Sequence, residues 1–200
     1  MVFKIKIIGV TGKMASGKTT VSRFLSDILK GAKLLDLDKI AKEIYCNDLN
    51  ILKEIKECFG NKVFYTDVKI NYNCLGSIVF ASKSEMKKLN KIMFPAIEKK
   101  VFELIDLNKN EKYIIIDAAI LFDTSLYKLC DFIILVKSNQ KLRKTLLEKK
   151  CSNLTNQEIQ MRLKGQKIKI CKEFVNFVVK NNGSEKDLYE KTLKLAEKIK

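Results

Sequence analysis

The sequence predicts an α/β fold: a doubly wound parallel sheet of five strands flanked by helices. Three observations carry this. Apolar, β-branched runs at 3–10, 113–116, 132–136 and 177–179, with a shorter one at 33–35, are continuous rather than alternating, the pattern of strands buried on both faces. Segments of helical period lie between them, at 19–30, 38–59, 84–107, 140–150, 156–172 and 184–200, and strand alternating with helix is the signature of βαβ units. Residues 12–19 read G-x-x-x-x-G-K-[ST] where the first strand gives way to the first helix.

The first strand and helix frame that motif. Gly12 and Gly17 allow a tight turn and a close backbone approach, so the loop and helix start, with Gly12, Ala15, Ser16, Gly17, Lys18, Thr19 and Thr20, can face nucleotide phosphates. Lys18 then reaches the β and γ oxygens of ATP, and Thr19 offers a hydroxyl to Mg²⁺. Lys18 is expected on an exposed loop, where truncation leaves the core intact. The 33–35 strand leads to Asp36-Leu37-Asp38. Alternation along an extended segment places both carboxylates on one side, beyond the carboxyl end of a parallel strand, where ligand crevices form. One could orient or deprotonate an acceptor hydroxyl and the other hold the metal; Asp38 could equally cap the following helix. The 113–116 strand runs into Asp117, either a Mg²⁺-supporting acid or a cap or loop aspartate. Pro95, the one proline, is expected to kink or break the 84–107 helix near Phe94.

Composition narrows the chemistry. The chain has 200 residues, 46% of them hydrophobic, enough for one compact core domain. The formal charge of +16 favours anionic partners without choosing among them. Arginine occurs only at Arg23, Arg143 and Arg162, so the positive charge is mostly lysine, spread along the chain as a solvated surface rather than gathered into a nucleic-acid patch. No nucleic-acid partner is expected. With no histidine, Ser/His/Asp and Cys/His mechanisms and His-ligated zinc are excluded. Six cysteines without C-x-x-C spacing point to reduced thiols in a cytoplasmic protein. The apolar stretch at 5–10 is too short for a membrane span.

Together these landmarks resemble the dephospho-CoA kinase family over nearly the whole chain. The resemblance rests on Ile8-Gly9-Val10-Thr11-Gly12 running into Ser16-Gly17-Lys18-Thr19-Thr20, and on Gly31-Ala32 leading to Asp36-Leu37-Asp38-Lys39-Ile40-Ala41. It continues through Ile78-Val79-Phe80, Leu89-Asn90-Lys91-Ile92, Pro95-Ala96-Ile97, Ile120-Leu121-Phe122-Asp123, Arg162-Leu163-Lys164-Gly165-Gln166 and Asn181-Asn182-Gly183. It implies a P-loop kinase fold over 1–200, with an acceptor-binding helical region at about 60–105 and a lid at about 143–166. It also implies ATP with Mg²⁺ as cofactors and dephospho-CoA as the small-molecule substrate, phosphorylated on its ribose 3′-hydroxyl by a monomer or weak homo-oligomer in the cytoplasm. By the resemblance Asp38 corresponds to the catalytic base, Asp36 supports metal or substrate, and Arg143 and Arg162 approach the phosphates from the lid. Arg143 and Lys144 read equally as solvated helix-surface charges. Another small-molecule or nucleoside monophosphate kinase, or a basic nucleic-acid-binding P-loop ATPase, are the alternatives.

The chain departs from the family pattern at several positions. Tyr72 stands where the family has arginine, Phe94-Pro95 where it has His-Pro, and Lys13-Met14-Ala15 where the loop begins with glycines. Lys69, Lys83, Lys87 and Lys88 are the nearby cations available to replace the charge missing at Tyr72.

Overall fold

The computed structural model describes residues 4–150, 159–160, 163 and 168–200. Their contacts form two compact units, Met1–Asp36 with Asn108–Lys200, and Leu37–Leu107.

The first unit begins with β1 (Lys6–Gly12), α1 (Lys18–Ile28) and β2 (Ala32–Asp36). After residue 107 it continues with β5 (Tyr113–Asp117), β6 (Phe132–Lys137), α6 (Gln140–Lys150), β7 (Phe177–Lys180) and α7 (Glu185–Ile199). The five strands pair in parallel in the order β2-β5-β1-β6-β7, as the continuous apolar runs require. Ile114, Ile115 and Ile116 are wholly inaccessible, which is why β5 carries no polar residue until Asp117. Ile8, Val10, Ile115, Ile134 and Val136 pack with Val21 and Leu25 of α1 and with Leu188, Leu195 and Ile199 of α7. A parallel strand at the sheet centre has both faces covered, and its burial supplies the main favourable term in folding. The register sets Val10 beside Asp117 and Asp117 beside Asp36, so the carboxyl ends of three strands lie together.

The second unit holds α2 (Leu37–Asn47), α3 (Leu49–Phe59), a hairpin of β3 (Phe64–Thr66) and β4 (Lys69–Ile70), α4 (Tyr72–Ala81) and α5 (Lys83–Leu107). Two expectations are corrected here. The single helix expected at 38–59 is two helices, because the Asp48 side chain accepts hydrogen bonds from the backbone N–H groups of Asn50 and Ile51 and starts α3 afresh. Pro95 does not break α5, which runs 25 residues without interruption. A proline removes one backbone hydrogen bond from a helix. Leu89, Met93, Ile97 and Val101 form a buried stripe at four-residue spacing across it, so packing holds both halves in one helix. The hairpin lies inside the region that the resemblance implies to be helical, and α4 is not among the periodic segments: two or three residues per strand show no periodicity, and α4 is mostly apolar with little amphipathic period.

If the Asp48 cap divides α2 from α3, Asp48→Ala should cost ~1 kcal/mol of stability in urea unfolding, with Asp48→Asn close to neutral.

Candidate active site

The phosphate loop leaves β1 at Gly12 and enters α1 at Lys18. Its turn is closed by the Ser16 N–H donating to the Lys13 carbonyl at 3.0 Å. A Cβ on Gly12 would overlap the Val136 carbonyl oxygen and approach Ser16 Oγ to 2.7 Å. Gly17 sits at φ 91° before the first helical residue, and α1 has neither a side-chain cap nor an acid in its first turn. Helix N-termini carry unsatisfied N–H groups and a partial positive charge. Here no side chain of the helix's own start covers them, which is the arrangement an anion site requires.

Lys18 differs from expectation. It is 8% exposed rather than open to solvent, and its Nζ is paired with Asp117 Oδ1 at 2.5 Å. The register accounts for this, since Asp117 ends the strand beside β1 and its carboxylate lies under the first turn of α1. Asp117 is thus neither a helix cap nor a loop residue; it is the last residue of β5, 2% exposed. Burial pushes its carboxyl above the ordinary carboxylate range, opposed by the Lys18 charge, by hydrogen bonds from Lys18 and Thr19, and reinforced by the neighbouring Asp36. Lys18, Thr19, Asp36 and Asp117 are therefore gathered at one place. Thr20 is half-buried in the first turn of α1.

Asp38 is placed otherwise than the alternation argument expects. The chain becomes helical at Leu37, which is buried, so Asp38 lies exposed in the first turn of α2 and in the second compact unit, not on an extended segment with Asp36.

Arg143 is not a solvated surface charge. It is 5% exposed, its Nε donates to the Met14 carbonyl of the loop at 2.9 Å, and its Nη2 is buried without a hydrogen-bond partner among the described residues. Burial pulls its guanidinium down from the ordinary value. Arg162 and most of the lid segment lie outside the described residues. The part that is described explains one departure in the loop. Leu147, Ile159 and Leu163 form a buried apolar cluster, and Met14 and Ala15 pack against it. Side chains at these positions have a surface to cover, which glycines would leave bare.

Two residues to which the sequence assigns no role also meet the site. Asn181, 7% exposed, donates from Nδ2 to the Ser16 carbonyl at 3.0 Å, and Asn182 accepts from the Asn139 N–H at 3.0 Å. Their signal was present as the Asn181-Asn182-Gly183 piece of the resemblance, but nothing in its spacing ties it to a loop so distant in the chain.

In the second unit, Tyr72 opens α4 after the Asn71 cap and meets Tyr45 edge-on, with ring centroids 5.7 Å apart. Burial, with Tyr72 nearby, pushes the Tyr45 phenol up to about 12, while Tyr72 remains 51% exposed. Of the lysines near it, Lys88 is engaged by Glu85 at 2.8 Å, and Lys69, Lys83 and Lys87 are exposed.

A family model described as dephospho-CoA kinase matches residues 6–187. A dephospho-CoA kinase from Fusobacterium nucleatum is 36% identical over 207 residues, spanning 98% of this chain and 99% of that protein. One from Borreliella burgdorferi is 37% identical over 161 residues, 80% of this chain and 76% of that protein. Among solved structures, a Thermus thermophilus protein superposes with a TM-score of 0.77 at 22% identity, over 98% of this chain and 99% of its own. A shikimate kinase from Acinetobacter baumannii superposes with a TM-score of 0.54 at 16% identity, over 98% of this chain and 95% of its own. These two likenesses concern the fold alone, a parallel sheet flanked by helices.

Removing one partner of a buried ion pair strands the other, at a cost of ~3–5 kcal/mol. Lys18→Ala should therefore lower stability in urea unfolding, contrary to what an exposed loop lysine would do. The double variant Lys18→Ala with Asp117→Asn should recover more than half of that loss, whereas strictly additive losses would show that the two groups do not compensate each other.

Proposed function

The chain belongs to the dephospho-CoA kinase family, and on that premise we propose that it transfers the γ-phosphoryl group of ATP to the ribose 3′-hydroxyl of dephospho-CoA, giving coenzyme A. The observation that carries the phosphate-binding half of this reading is the bare N-terminus of α1, entered through Gly17 and backed by the buried Lys18. The whole-chain family match carries the acceptor half and favours it over a nucleoside monophosphate kinase or a nucleic-acid-dependent ATPase. The region near 60–105 is the acceptor-binding part and 143–166 the lid. We assign the protein to the cytoplasm as a monomer or weak homo-oligomer; among the described residues no helix is long and apolar enough to cross a membrane.

Phosphoryl transfer asks little covalent chemistry of the protein, so positioning and electrostatics do most of the catalysis. Backbone N–H groups of the loop and the first turn of α1 hold the phosphates, apart from that of Ser16, which closes the loop on the Lys13 carbonyl, and Lys18 turns from Asp117 toward the β and γ oxygens. That movement leaves Asp117 a buried carboxylate needing a new cation. Asp117 and Asp36 at adjoining strand ends and the Thr19 hydroxyl in the first turn of α1 are all oxygen donors, the hard ligand set that Mg²⁺ takes, usually with several waters retained. Mg²⁺, when bound with ATP, supplies charge neutralisation on the β and γ oxygens. Among the described residues the Nη2 of Arg143 has no acceptor, and a phosphate oxygen is the acceptor it fits. Arg162 contributes a second lid cation. Asp38 orients the acceptor hydroxyl and takes its proton.

Asp38→Asn keeps size and hydrogen bonding but cannot accept a proton, so turnover should fall ~10² to 10⁴-fold with ATP affinity little changed. A coupled ADP-release assay, run with dephospho-CoA against a panel of nucleoside monophosphates, reads both this and the acceptor. A loss below about tenfold, with Asp36→Asn costing more, would move the base to Asp36.

Tyr72 offers one hydroxyl and a ring face where an arginine would offer a planar two-donor fork. Exposed lysines such as Lys69, Lys83 and Lys87 then carry the acceptor's anionic groups as point charges, which salt screens readily. The Michaelis constant for dephospho-CoA should rise clearly with salt while that for ATP moves less, and Tyr72→Arg should preserve or tighten acceptor binding. Loss of activity in a folded Tyr72→Arg protein whose acceptor constant ignores salt would overturn the compensation.

A further inference from the structure

We propose that Asn181 is a positioning residue for phosphoryl transfer: it fixes the Ser16–Gly17 peptide plane so that the Gly17 N–H faces the nucleotide phosphates before any ligand arrives. This rests on the reading of residues 12–19 as the phosphate site.

A phosphate loop works only if its N–H groups point one way, and each trans peptide unit sets its C=O and the following N–H on opposite sides. All peptide bonds of the described residues are trans. Whatever holds a loop carbonyl outward therefore turns the next N–H inward. Asn181 Nδ2 donates to the Ser16 carbonyl at 3.0 Å inside the protein, which puts the Gly17 N–H on the side away from Asn181. The fit is close. A Cβ on Gly17 would collide with Asn181 Nδ2, so the bare Cα at Gly17 serves the asparagine as well as the φ of 91°. Arg143 acts in the same sense on the Met14–Ala15 peptide, holding the Met14 carbonyl and turning the Ala15 N–H the other way. The peptide between them is pinned from within, since the Ser16 N–H is spent on the Lys13 carbonyl.

The two outer grips share one origin. The Asn181 N–H donates to the Lys137 carbonyl at 2.7 Å, docking the end of β7 on β6. Asn182 then accepts from the Asn139 N–H at 3.0 Å, and Asn139 Oδ1 accepts from the Leu142 N–H at 2.8 Å at the start of α6, the helix that bears Arg143. Consecutive asparagines after β7 thus set one grip directly and the other through α6. An amide side chain suits this role, because it donates to a carbonyl without adding charge beside the phosphates.

The test uses the full chain and magnesium tripolyphosphate, which reports phosphate contacts without a base. Isothermal titration is run on the wild type, Lys18→Ala, Asn181→Ala and Asn181→Leu, the last keeping the side chain's size while losing the donor and adding no charge. Losing one aligned N–H donor should weaken tripolyphosphate binding about tenfold in both Asn181 variants. In steady-state assays the Michaelis constant for ATP should rise by a similar factor while that for dephospho-CoA moves less than about twofold, a split that general loosening of the fold would not produce. Folded Asn181 variants that bind tripolyphosphate like the wild type overturn this inference alone. A wild type that binds no tripolyphosphate, or binds it equally well without Lys18, overturns the phosphate-loop reading beneath it. Should neither Asn181 variant fold, the residue is a requirement of the fold at large and the positioning role is rejected.

Discussion

A cation placed beneath a phosphate loop must have a counter-charge while no phosphate is present, and Asp117 supplies it to Lys18. Desolvating an ammonium and a carboxylate costs several kcal/mol per ion unless each sits against the other. The sheet order follows from where that carboxylate must be. β5 lies between β1 and β2, so its last residue falls beside the start of the loop and beside Asp36. The three isoleucines that precede Asp117 are inaccessible, and this apolar run anchors the acid in register with little freedom to move. Among the described residues the buried charged side chains are Lys18, Asp117 and Arg143. All three belong to the loop and its immediate supports, so the charge this fold tolerates in its interior is spent on one site.

The parts of the structure legible in the sequence are those where one local pattern dictates the outcome. Continuous apolar runs point to buried strands, which holds for β5 and β6 although Val178 of the edge strand β7 is exposed, and the G-x-x-x-x-G-K-[ST] spacing at a strand-to-helix junction points to phosphate binding. What the sequence left hidden depends on contacts between distant segments. The burial of Lys18 follows from the β1–β5 register, which no local pattern encodes. The division of α2 from α3 was readable in principle, because Asp48 precedes Leu49-Asn50-Ile51 as a helix-starting residue should, but the apolar period runs through it unbroken. Asp36 and Asp38 misled for a related reason: a two-residue period was extended across a boundary where helix had already begun at Leu37. At Pro95 a local rule was outweighed by four buried side chains at helical spacing.

The beginning of the phosphate loop shows how a departure from a glycine-rich pattern is accommodated. Ala15 has φ 57°, left-handed backbone that costs a residue with a Cβ roughly 1–2 kcal/mol. Met14 and Ala15 meet Leu147, Ile159 and Leu163, and burying apolar surface returns about 25 cal/mol per Å², so a few tens of Å² offset that strain. The exchange also changes what the loop is. Glycines would leave it free to settle around a nucleotide, whereas here an apolar contact and the Arg143 hydrogen bond tie it to α6 beforehand. Order gained before binding is conformational entropy that the nucleotide does not have to remove.

The choice of arginine at that contact fits the same logic. Lysine is abundant in this chain and arginine occurs three times, yet it is an arginine that is buried against the loop backbone. An ammonium is a strongly hydrated point charge that would call for a carboxylate in so enclosed a place, as Lys18 does. A guanidinium is more weakly hydrated and presents its donors as a rigid planar fork. Nε can serve the Met14 carbonyl while Nη2 stays available to an incoming anion, and no acid is needed nearby to cancel the charge the phosphates must meet. A carboxylate at that position would repel the nucleotide. Lysine stands at most of the solvated positions, and Arg143 stands where one cation must hold backbone and still attract a ligand.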